Sequence, residues 1–516
     1  MLSNGDDKIK SSETACSNLM DSTPQDVPQD LEVGVDDKEV EAELREIPFT
    51  IFHHSERLVL VLILSLIGWW STVSSPIYFP ALTSLTESFH VSSGQMNISM
   101  VTYFIFQGLA PTFSASIADA YGRRPILLVS ILIYVAACIG IARAKAFWLL
   151  VVLRCVQAAG VAPVIAISSG IAADVCTRAT RGGFVGIVSG GQVMGNGFGS
   201  IIGAALMSRY NTWRAIFVFL AIGGGVTAVV AFFVLFETNR LLVGNGSIPP
   251  KGMFHKSILL SLPYFKKTLT NDIGTLAPRK KLDFLSSFKL LMRPEVVISL
   301  LPAGLCFASW SMVLASIGSE LQTQYHYSIM HVGLIYLPQG IACLLTTVTM
   351  GRCLNMYYAY RKTQHDKLCE SLSEEKQPVF NILKVRLDLL LIPGLSVIMG
   401  LIIFGWCIQT RQPVIAIIIS SCMVSSGAAG SMTCVTTLLI DLSPGRGSAA
   451  TSVFNLVRCF LAAAGVGALD AMVAAMKLGG TYTFLGGLTF ATFTMLYAFL
   501  TIYSQTILLR QHSSSV

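Results

Sequence analysis

The sequence has few charged residues. Only 13% of its 516 residues are Asp, Glu, Lys or Arg, whereas these residues make up about 25% of soluble globular domains. Hydrophobic residues account for 53% of the chain, and they occur in blocks of about 20, the length of helix that crosses the hydrocarbon of a bilayer. The shortage of charge therefore argues against a soluble protein and predicts an all-α, polytopic membrane protein.

Motifs of enzymes and of ATP-driven pumps are also missing. The sequence contains no HExxH, no paired histidine boxes and no nucleophile elbow, which argues against a membrane-embedded enzyme. It has no G-x-x-x-x-G-K-[ST] loop, which argues against an ATP-driven pump. The 12 cysteines include no CxxC pair and most lie inside apolar blocks, so we expect neither a metal site nor a cofactor.

The apolar blocks fall into two sets of six, separated by a polar and basic gap. This arrangement predicts twelve transmembrane helices in two six-helix bundles. The predicted spans are 58–80, 97–117, 125–142, 147–171, 184–206, 215–236, 296–318, 331–350, 389–409, 413–438, 450–473 and 483–505. The predicted domains are a disordered acidic tail (1–50), an N-terminal bundle (51–240), a cytoplasmic central loop (241–294), a C-terminal bundle (295–505) with a cytoplasmic insert (351–388), and a short cytoplasmic tail (506–516).

The charges are unevenly distributed along the chain. Residues 1–50 carry 4 basic and 13 acidic side chains, so the rest of the chain is strongly basic. If the N-terminus is cytoplasmic, 28 Lys and Arg residues fall in cytoplasmic segments and 6 in external ones. The positive-inside rule therefore predicts that both termini are cytoplasmic. Because the basic residues lie in loops between spans, we do not expect nucleic-acid binding.

The loop after the second predicted span has the composition of a conformational latch. Asp119 can pair with an arginine, and Gly122 can adopt a positive φ. Arg123 and Arg124 follow and supply two guanidinium groups. The alternative is that these two arginines only hold the loop on the cytoplasmic side of the membrane.

The fourth predicted span contains an arginine among apolar residues. Arg154 and Gln157 lie one turn apart on one face of the helix. An arginine near the middle of a span costs roughly 2.5–3.5 kcal/mol on insertion scales, so we expect it to face a polar interior and to have a partner. The alternative is a structural arginine that bonds backbone carbonyls or reaches towards the membrane surface.

The fifth predicted span carries a stripe of glycines at intervals of four residues. Such a stripe allows another helix to approach its backbone closely. Packing alone, without any role in transport, is the alternative interpretation. The glycines concerned are Gly191, Gly195, Gly199 and Gly203.

Other polar and aromatic residues on the predicted spans are candidates for a substrate cavity. Arg458 and Asp470 share the eleventh span, but twelve residues of helix separate them by about 18 Å, so they cannot pair. No carboxylate is predicted at the middle of the membrane, although a proton carrier normally needs a titratable group there. The further candidates, which could bind an amphipathic cation, are Tyr103, Phe106, Gln107, Gln192, Trp310 and Gln339.

The loop from Ile117 to Arg124 resembles the G-x-L-A-D-R-x-G-R-K motif of the major facilitator superfamily, although Ala115 and Ala120 depart from it. The resemblance implies the major facilitator fold. It also implies that the loop gates alternating access through ion pairs with neighbouring helix ends. Residues that could supply such pairs are Asp174, Arg178, Glu237 and Arg240.

Further segments resemble one branch of that superfamily. The Arg154 segment resembles the R-x-x-Q-G motif, which is linked there to proton coupling, and 195–204 resembles the fifth-helix motif of antiporters. The segments 77–80, 213–217 and 332–338 resemble the quinidine-resistance branch of the fungal drug:proton antiporters. The resemblance covers about residues 47–505.

This resemblance implies a monomeric plasma-membrane exporter that is driven by protons and confers multidrug resistance. Its partners would be small drugs or other amphipathic or cationic compounds, protons and the lipid bilayer. A dedicated exporter of one metabolite, such as a polyamine, a weak organic acid, an amino acid or a spore-wall precursor, is an alternative. A sensor built on the same scaffold is another.

Overall fold

The computed structural model describes residues 50–176, 178–250, 252, 254–257, 286–370, 380–442 and 447–513. Every regular element within these ranges is a helix. The predicted acidic tail, apart from Thr50, and most of the predicted central loop lie outside the described residues. The same is true of 371–379 in the predicted insert and of 514–516 in the predicted C-terminal tail.

The helices of the first half begin at α1 and end at a short helix, α9. Their bounds are α1 His54–Val73, α2 Leu82–Phe89, α3 Ser93–Tyr121, α4 Arg123–Ala142, α5 Phe147–Val161, α6 Pro163–Val175, α7 Arg178–Tyr210, α8 Arg214–Val234 and α9 Arg240–Val243. A 3-10 helix, Pro76–Ala81, joins α1 to α2. The second half contains α10 Ser286–Leu291, α11 Pro294–Thr323, α12 Ile329–Glu370, α13 Ile382–Asp388, α14 Leu391–Gln409, α15 Val414–Leu442 and α16 Gly447–Ser513.

Nine helical stretches among the described residues are long and apolar enough to cross a membrane. The last of them, Ala449–Tyr503, contains Lys477, whose φ of 57° interrupts the helix. The long helices α3 and α7 are not among the nine. Both carry many small and polar residues, and both pack against helices of the other half, so they need less apolar surface.

Local sequence explains where several helices begin and break. Ser92 and Gln95 form reciprocal hydrogen bonds, a capping box that starts α3. Pro76 and Pro80 end the regular α-helix of the first predicted span, so α1 stops at Val73 and a 3-10 helix follows. Pro163 divides the fourth predicted span into α5 and α6.

Two helices differ in length from the sequence-based expectation. The eighth predicted span ends at residue 350, but α12 continues as a helix to Glu370, through the first part of the predicted insert. The eleventh and twelfth predicted spans are separated by nine residues, 474–482, whereas Lys477 alone interrupts α16. The helix then continues to Ser513, into the predicted C-terminal tail. Hydropathy locates the apolar part of a helix but not its polar extension.

Small residues bring the two halves of the chain together. A Cβ added to Gly108 on α3 would lie 3.3 Å from the Leu456 carbonyl oxygen of α16. Gly333 on α12 packs against Ala204 on α7. The aromatic rings of Phe104 on α3 and Phe307 on α11 are also in contact, with centroids 6.1 Å apart.

Candidate functional site

A charged cluster surrounds the turn between α3 and α4. Gly122 has φ of 109°, and a Cβ at this position would meet the Glu237 carboxylate at 2.5 Å. Glu237 is buried and accepts hydrogen bonds from the backbone N–H groups of Arg123 and Arg124, at 2.8 and 3.2 Å. A carboxylate at a helix N-terminus satisfies unpaired N–H groups and the helix dipole. Glu237 thus fixes the first turn of α4.

The Arg123 side chain joins two acidic residues from different helices. It forms ion pairs with Asp119, one turn earlier, and with Asp174 on α6, whose Oδ2 lies 3.1 Å from Nε. Asp174 lies beyond the apolar stretch Phe147–Ala172, and burial raises its pKa to about 6 although Arg123 acts in the opposite direction. We call Asp119, Gly122, Arg123, Asp174 and Glu237 the latch.

Neighbouring side chains cap the helix ends around the latch. Arg124 donates to the carbonyl oxygens of Phe232 and Leu235, both at 2.6 Å, at the C-terminus of α8. Asn239 donates to the Asp119 carbonyl at 2.8 Å, and Arg240 donates to the Asp174 carbonyl at 3.0 Å. These bonds satisfy carbonyl groups that a helix leaves unpaired at its end.

The structure brings together most of the residues that the sequence predicts for a gate. The side chain of Arg178, which begins α7, lies outside the part of the chain that the structure describes. Two contributors were not predicted as site residues: Asn239, and His255, whose Nε2 lies 2.8 Å from the Tyr121 carbonyl oxygen. Asn239 lies between Glu237 and Arg240, two of the residues predicted for the gate, and this position is the signal that could have identified it.

Arg154 is completely buried in α5. Its Nη1 donates to the Ser74 carbonyl at 3.2 Å and to Gln157 Oε1 at 2.9 Å. The guanidinium lies between the rings of Tyr78 and Tyr103, 4.3 and 4.0 Å from their centroids. No carboxylate among the described residues forms an ion pair with it. Aromatic faces and neutral acceptors therefore compensate its charge.

The glycine stripe of α7 packs against the first helix and the 3-10 helix that follows it. Added Cβ atoms at Gly191, Gly199 and Gly203 would collide with Ser65, Pro76 and Ile77, respectively. A Cβ added to Gly195 would lie 2.8 Å from the Trp69 carbonyl oxygen. Ser200, where the family motif usually has proline, donates to the Pro76 carbonyl at 2.8 Å. The stripe is therefore a contact between backbones.

Arg458 lies on α16, near α3 and α11. Its Nε and Nη2 donate to Asn455 Oδ1 at 3.0 and 2.7 Å. Asn455 Nδ2 in turn donates to the Gln107 carbonyl at 2.7 Å, so an amide joins the two halves. The Arg458 guanidinium also lies 4.8 Å from the centroid of the Phe307 ring.

The other predicted cavity residues are dispersed. Gln192 packs on Gly68 of α1, and Phe106 is exposed. Trp310, Gln339 and Tyr103 are buried, and the Trp310 Nε1, both Gln339 amide atoms and the Tyr103 hydroxyl have no hydrogen-bond partner among the described residues.

A cavity of about 480 Å³ lies between the N-terminus of α3 and the C-terminal part of α11. Asp470 on α16, which the sequence had separated from Arg458, lines it and accepts a hydrogen bond from Asn97 at 3.2 Å. Glu320 and Glu87 line it as well. No Lys, Arg or His is among its described lining residues. Sequence analysis missed Glu320, because hydropathy placed it just outside the seventh predicted span.

The cavity and the latch lie at opposite ends of the molecule. Ser93 and Met96, at the start of α3, line the cavity, whereas Tyr121 and Gly122 at its end belong to the turn of the latch. With 29 residues, α3 separates them by about 42 Å. Arg154 and Arg458 lie at intermediate heights on their helices.

Comparison with known proteins identifies the family. The Major Facilitator Superfamily model matches residues 58–466. The Candida albicans protein named MFS antiporter QDR2 is 54% identical over 469 residues, which cover 90% of this chain and 93% of that protein. Quinidine resistance protein 1 of Saccharomyces cerevisiae is 39% identical over 473 residues, which cover 87% and 84% of the two chains.

A solved structure agrees with this assignment at the level of the fold. The xylose transporter XylE from E. coli, in a partially occluded inward open conformation, matches with a TM-score of 0.60. The sequence identity is 15%, and the match covers 86% of this chain and 98% of that one. The relatives are named as transporters and antiporters, so this chain is a multi-pass membrane transporter and not an enzyme. It belongs to the Major Facilitator Superfamily, in the quinidine-resistance branch of its fungal drug transporters.

Proposed function

We propose that this protein is a proton-coupled exporter of small amphipathic drugs that works by alternating access and confers multidrug resistance. The names of its relatives, an antiporter in Candida albicans and a quinidine resistance protein in Saccharomyces cerevisiae, support drug export against an ion gradient. The acidic side chains that line the cavity are titratable groups and can carry a proton.

The observation that carries the proposal is the acidic cavity. An antiporter needs a titratable group that the solvent can reach and that conformational change can enclose. Glu320 on α11 and Asp470 on α16 line the cavity together, and Asn97 on α3 bonds Asp470 from the other half of the chain. Movement of one half against the other would change the contacts of this pair, so protonation and conformation would be coupled.

The latch supports alternating access at the opposite end. Arg123 joins α3, α4 and α6 through Asp119 and Asp174, and Glu237 adds the segment after α8. Ion pairs and caps of this kind have two discrete arrangements, made or broken, so they can hold a gate in one state. We propose that Arg178 and Arg240 contribute to the same gate, and that Arg154 and Gln157 support coupling.

We propose twelve spans in two six-helix bundles, with both termini, the central loop (241–294) and the insert (351–388) on the cytoplasmic side. The lysines and arginines of the predicted loops support this orientation. We also propose that the protein acts as a monomer in the plasma membrane, where export would protect the cell.

The test is uptake by proteoliposomes that contain the purified protein. An acidic lumen should drive uptake of quinidine above that of protein-free liposomes, which corrects for passive accumulation of a weak base. Glu320→Gln and Asp470→Asn should abolish this increment, because neither amide can carry the proton. Glu87→Gln is the matched control, since Glu87 lines the same cavity but is exposed, and it should transport normally.

The outcomes separate the proposal from its alternatives. Uptake of spermidine without quinidine would indicate a dedicated metabolite exporter. Uptake that is the same with and without a pH gradient would contradict proton coupling. A protein that binds quinidine but moves no compound under any gradient would favour a sensor.

A further inference from the structure

The two halves of the chain meet along α3 and α16, and a hydrogen bond joins these helices at the end that faces the acidic cavity. Asn97 Nδ2 on α3 donates to Asp470 Oδ2 on α16 at 3.2 Å, and both residues line the cavity. One turn further in, a Cβ added to Gly467 on α16 would lie 3.2 Å from Val101 Cγ2 on α3. The Asn97–Asp470 bond therefore closes the contact between the halves at this end.

The Asp470 carboxylate also lies close to the N-terminus of α3. A Cβ added to Gly94, in the first turn of this helix, would lie 3.4 Å from Asp470 Oδ2. The first N–H groups of a helix have no partner within the helix, and the helix dipole makes this end partly positive. The capping box of Ser92 and Gln95 fixes the first turn. The place of the carboxylate beside α3 thus suits its ionised form.

The other charged groups around Asp470 do not compensate its charge. Glu87 on α2 and Glu320 on α11 line the same cavity and carry like charges when ionised, and no Lys, Arg or His is among the described lining residues. Lys477 follows two turns later on α16, but it is exposed and is not part of the described lining. Tyr482 is buried, and its hydroxyl bonds a serine of α11. Among the described residues, an ionised Asp470 therefore has its favourable contacts on α3.

We propose that Asn97 is a positioning residue for Asp470: it holds the ionised carboxylate against the start of α3, so that the two halves stay closed at this end until Asp470 is protonated. The ionised carboxylate accepts a charge-assisted hydrogen bond and interacts favourably with the helix dipole. The protonated group loses both advantages, so the contact between the halves weakens. Because Asp470 is exposed and lines the cavity, a proton can reach it before this end opens.

This inference rests on the proposed function and specifies how the exporter would limit uncoupled proton flow. In the proposed orientation, the start of α3 is at the external end. A carrier that has released its proton and bound no drug would be held closed at that end, so it could not return to collect another external proton. Drug binding would supply the free energy that opens it. Loss of Asn97 should therefore permit proton flow without drug.

The test measures the opening of this end with a cysteine reporter. Val101→Cys is introduced into the full-length protein in lipid nanodiscs, and its rate of reaction with a membrane-impermeant maleimide is measured from pH 4 to pH 8. Protein without the reporter corrects for reaction of the native cysteines. Variants are compared with the reporter protein at the same pH, so that the lower reactivity of the thiol in acid affects all of them alike.

The expected rates depend on the charge of Asp470. At pH 7.5, Asn97→Ala and Asp470→Asn should each raise the reaction rate about fivefold or more. The difference should disappear towards the acidic end of the range, where Asp470 itself becomes protonated. Asn97→Asp should reverse the dependence on pH, because two ionised carboxylates repel each other at pH 7.5 and share a proton at lower pH. A purely structural role of Asn97 would not reverse it.

A second measurement follows the proton directly. In proteoliposomes with an imposed pH gradient and no drug, Asn97→Ala should dissipate the gradient several-fold faster than Asn355→Ala. Asn355 is the matched control, since it is exposed on the part of α12 that extends beyond its predicted span. Asn355→Ala should match the unaltered protein in both measurements. Equal dissipation by the two variants would contradict the inference.

The inference is overturned if Asn97→Ala reacts like the reporter protein at pH 7.5, or if Asn97→Asp keeps the same direction of pH dependence. If Asn97→Ala does not fold, Asn97→Asp and Asp470→Asn still decide the question. The reporter needs neither a gradient nor a drug, so its result is independent of the proposed function. The expected rates in a protein without pH-driven quinidine uptake would support the role of Asn97 and contradict coupled export. Quinidine uptake with unchanged reporter rates would contradict the role of Asn97 alone.

Discussion

Arg154 and Arg458 are both arginines within apolar helices, but they lie in different environments. Each has an amide three residues away on its own helix, and each bonds the oxygen of that amide. Arg154 is fully enclosed by two tyrosine rings and a backbone carbonyl. Arg458 is half-buried and lies beside the Phe307 and Phe454 rings, and the Asn455 amide supplies its oxygen acceptor among the described residues.

The two environments suit an arginine to different roles. A guanidinium that the protein encloses, as it does that of Arg154, cannot reach a ligand and acts through its contacts within the protein. A guanidinium that the protein orients but leaves incomplete is available to a partner. Substitutions at these positions should therefore differ in their effect on stability.

Arg154→Ala should be the most destabilising of these changes. It removes bonds to the Ser74 carbonyl and to Gln157, removes the cation between Tyr78 and Tyr103, and leaves a cavity. We expect a loss of about 3–5 kcal/mol in the free energy of unfolding, similar to large-to-small changes in other cores. The thermal midpoint in detergent measures it. A loss as small as that of Arg458→Gln would abolish the distinction.

Glycines allow the same comparison between crowded and open environments. Gly195→Ala would force a methyl group against the Trp69 carbonyl, whereas a Cβ at Gly225 meets no atom within 4 Å. We expect Gly195→Ala to lose about 1–3 kcal/mol of unfolding free energy. Gly225→Ala should gain up to about 1 kcal/mol, since alanine favours helix. Equal thermal midpoints for the two variants would contradict the close contact between α7 and the first helix.

Arg123, unlike Arg154 and Arg458, has acidic partners, and Asp174 is one of them. Its pKa is raised to about 6 by burial, so the folded protein favours the protonated form and gains stability as the pH falls through 6. Compared with Asp174→Asn, which cannot titrate, the unaltered protein should gain about 1.4 kcal/mol between pH 7.5 and pH 5. Thermal unfolding of both proteins across this range provides the measurement. A relative loss at low pH would mean that Arg123 outweighs burial.

Arg458→Gln should have the smallest effect on stability. The residue is half-buried, and among the described residues its guanidinium bonds the Asn455 amide and lies beside the Phe307 and Phe454 rings. Glutamine keeps part of the side-chain packing and removes an uncompensated charge from the core. We expect a change within about 1 kcal/mol, measured by the same thermal midpoint. A loss of several kcal/mol in the free energy of unfolding would show that Arg458 contributes to stability as Arg154 does.

Sequence reasoning succeeded where the information is local. The sequence analysis predicted that Gly122 can adopt a positive φ, and its φ is 109°. The four-residue spacing of the glycines in α7 predicted close helix packing, and the carbonyl groups of the first helix and the 3-10 helix fill that space. It was less successful at helix ends, as α12 shows by continuing to Glu370.

Contacts between distant segments of the chain could not be predicted from the sequence. Glu320 and Asp470 are separated by 149 residues and line one cavity only because α11 and α16 pack together. Asn455 could be recognised as a neighbour of Arg458, but its bond to the Gln107 carbonyl depends on the docking of α3. No periodic pattern in the sequence indicates that these residues come into contact.

Apolar length, composition and short motifs are local properties of the chain, and they were sufficient to predict the membrane class, the family and the charged turn. Only the tertiary structure answers the question of how each arginine is surrounded: Arg154 is fully enclosed and Arg458 is half-buried. That question depends on where every neighbouring donor and acceptor lies in three dimensions. Arg154 and Arg458 are alike in sequence, and only packing encloses one and leaves the other open.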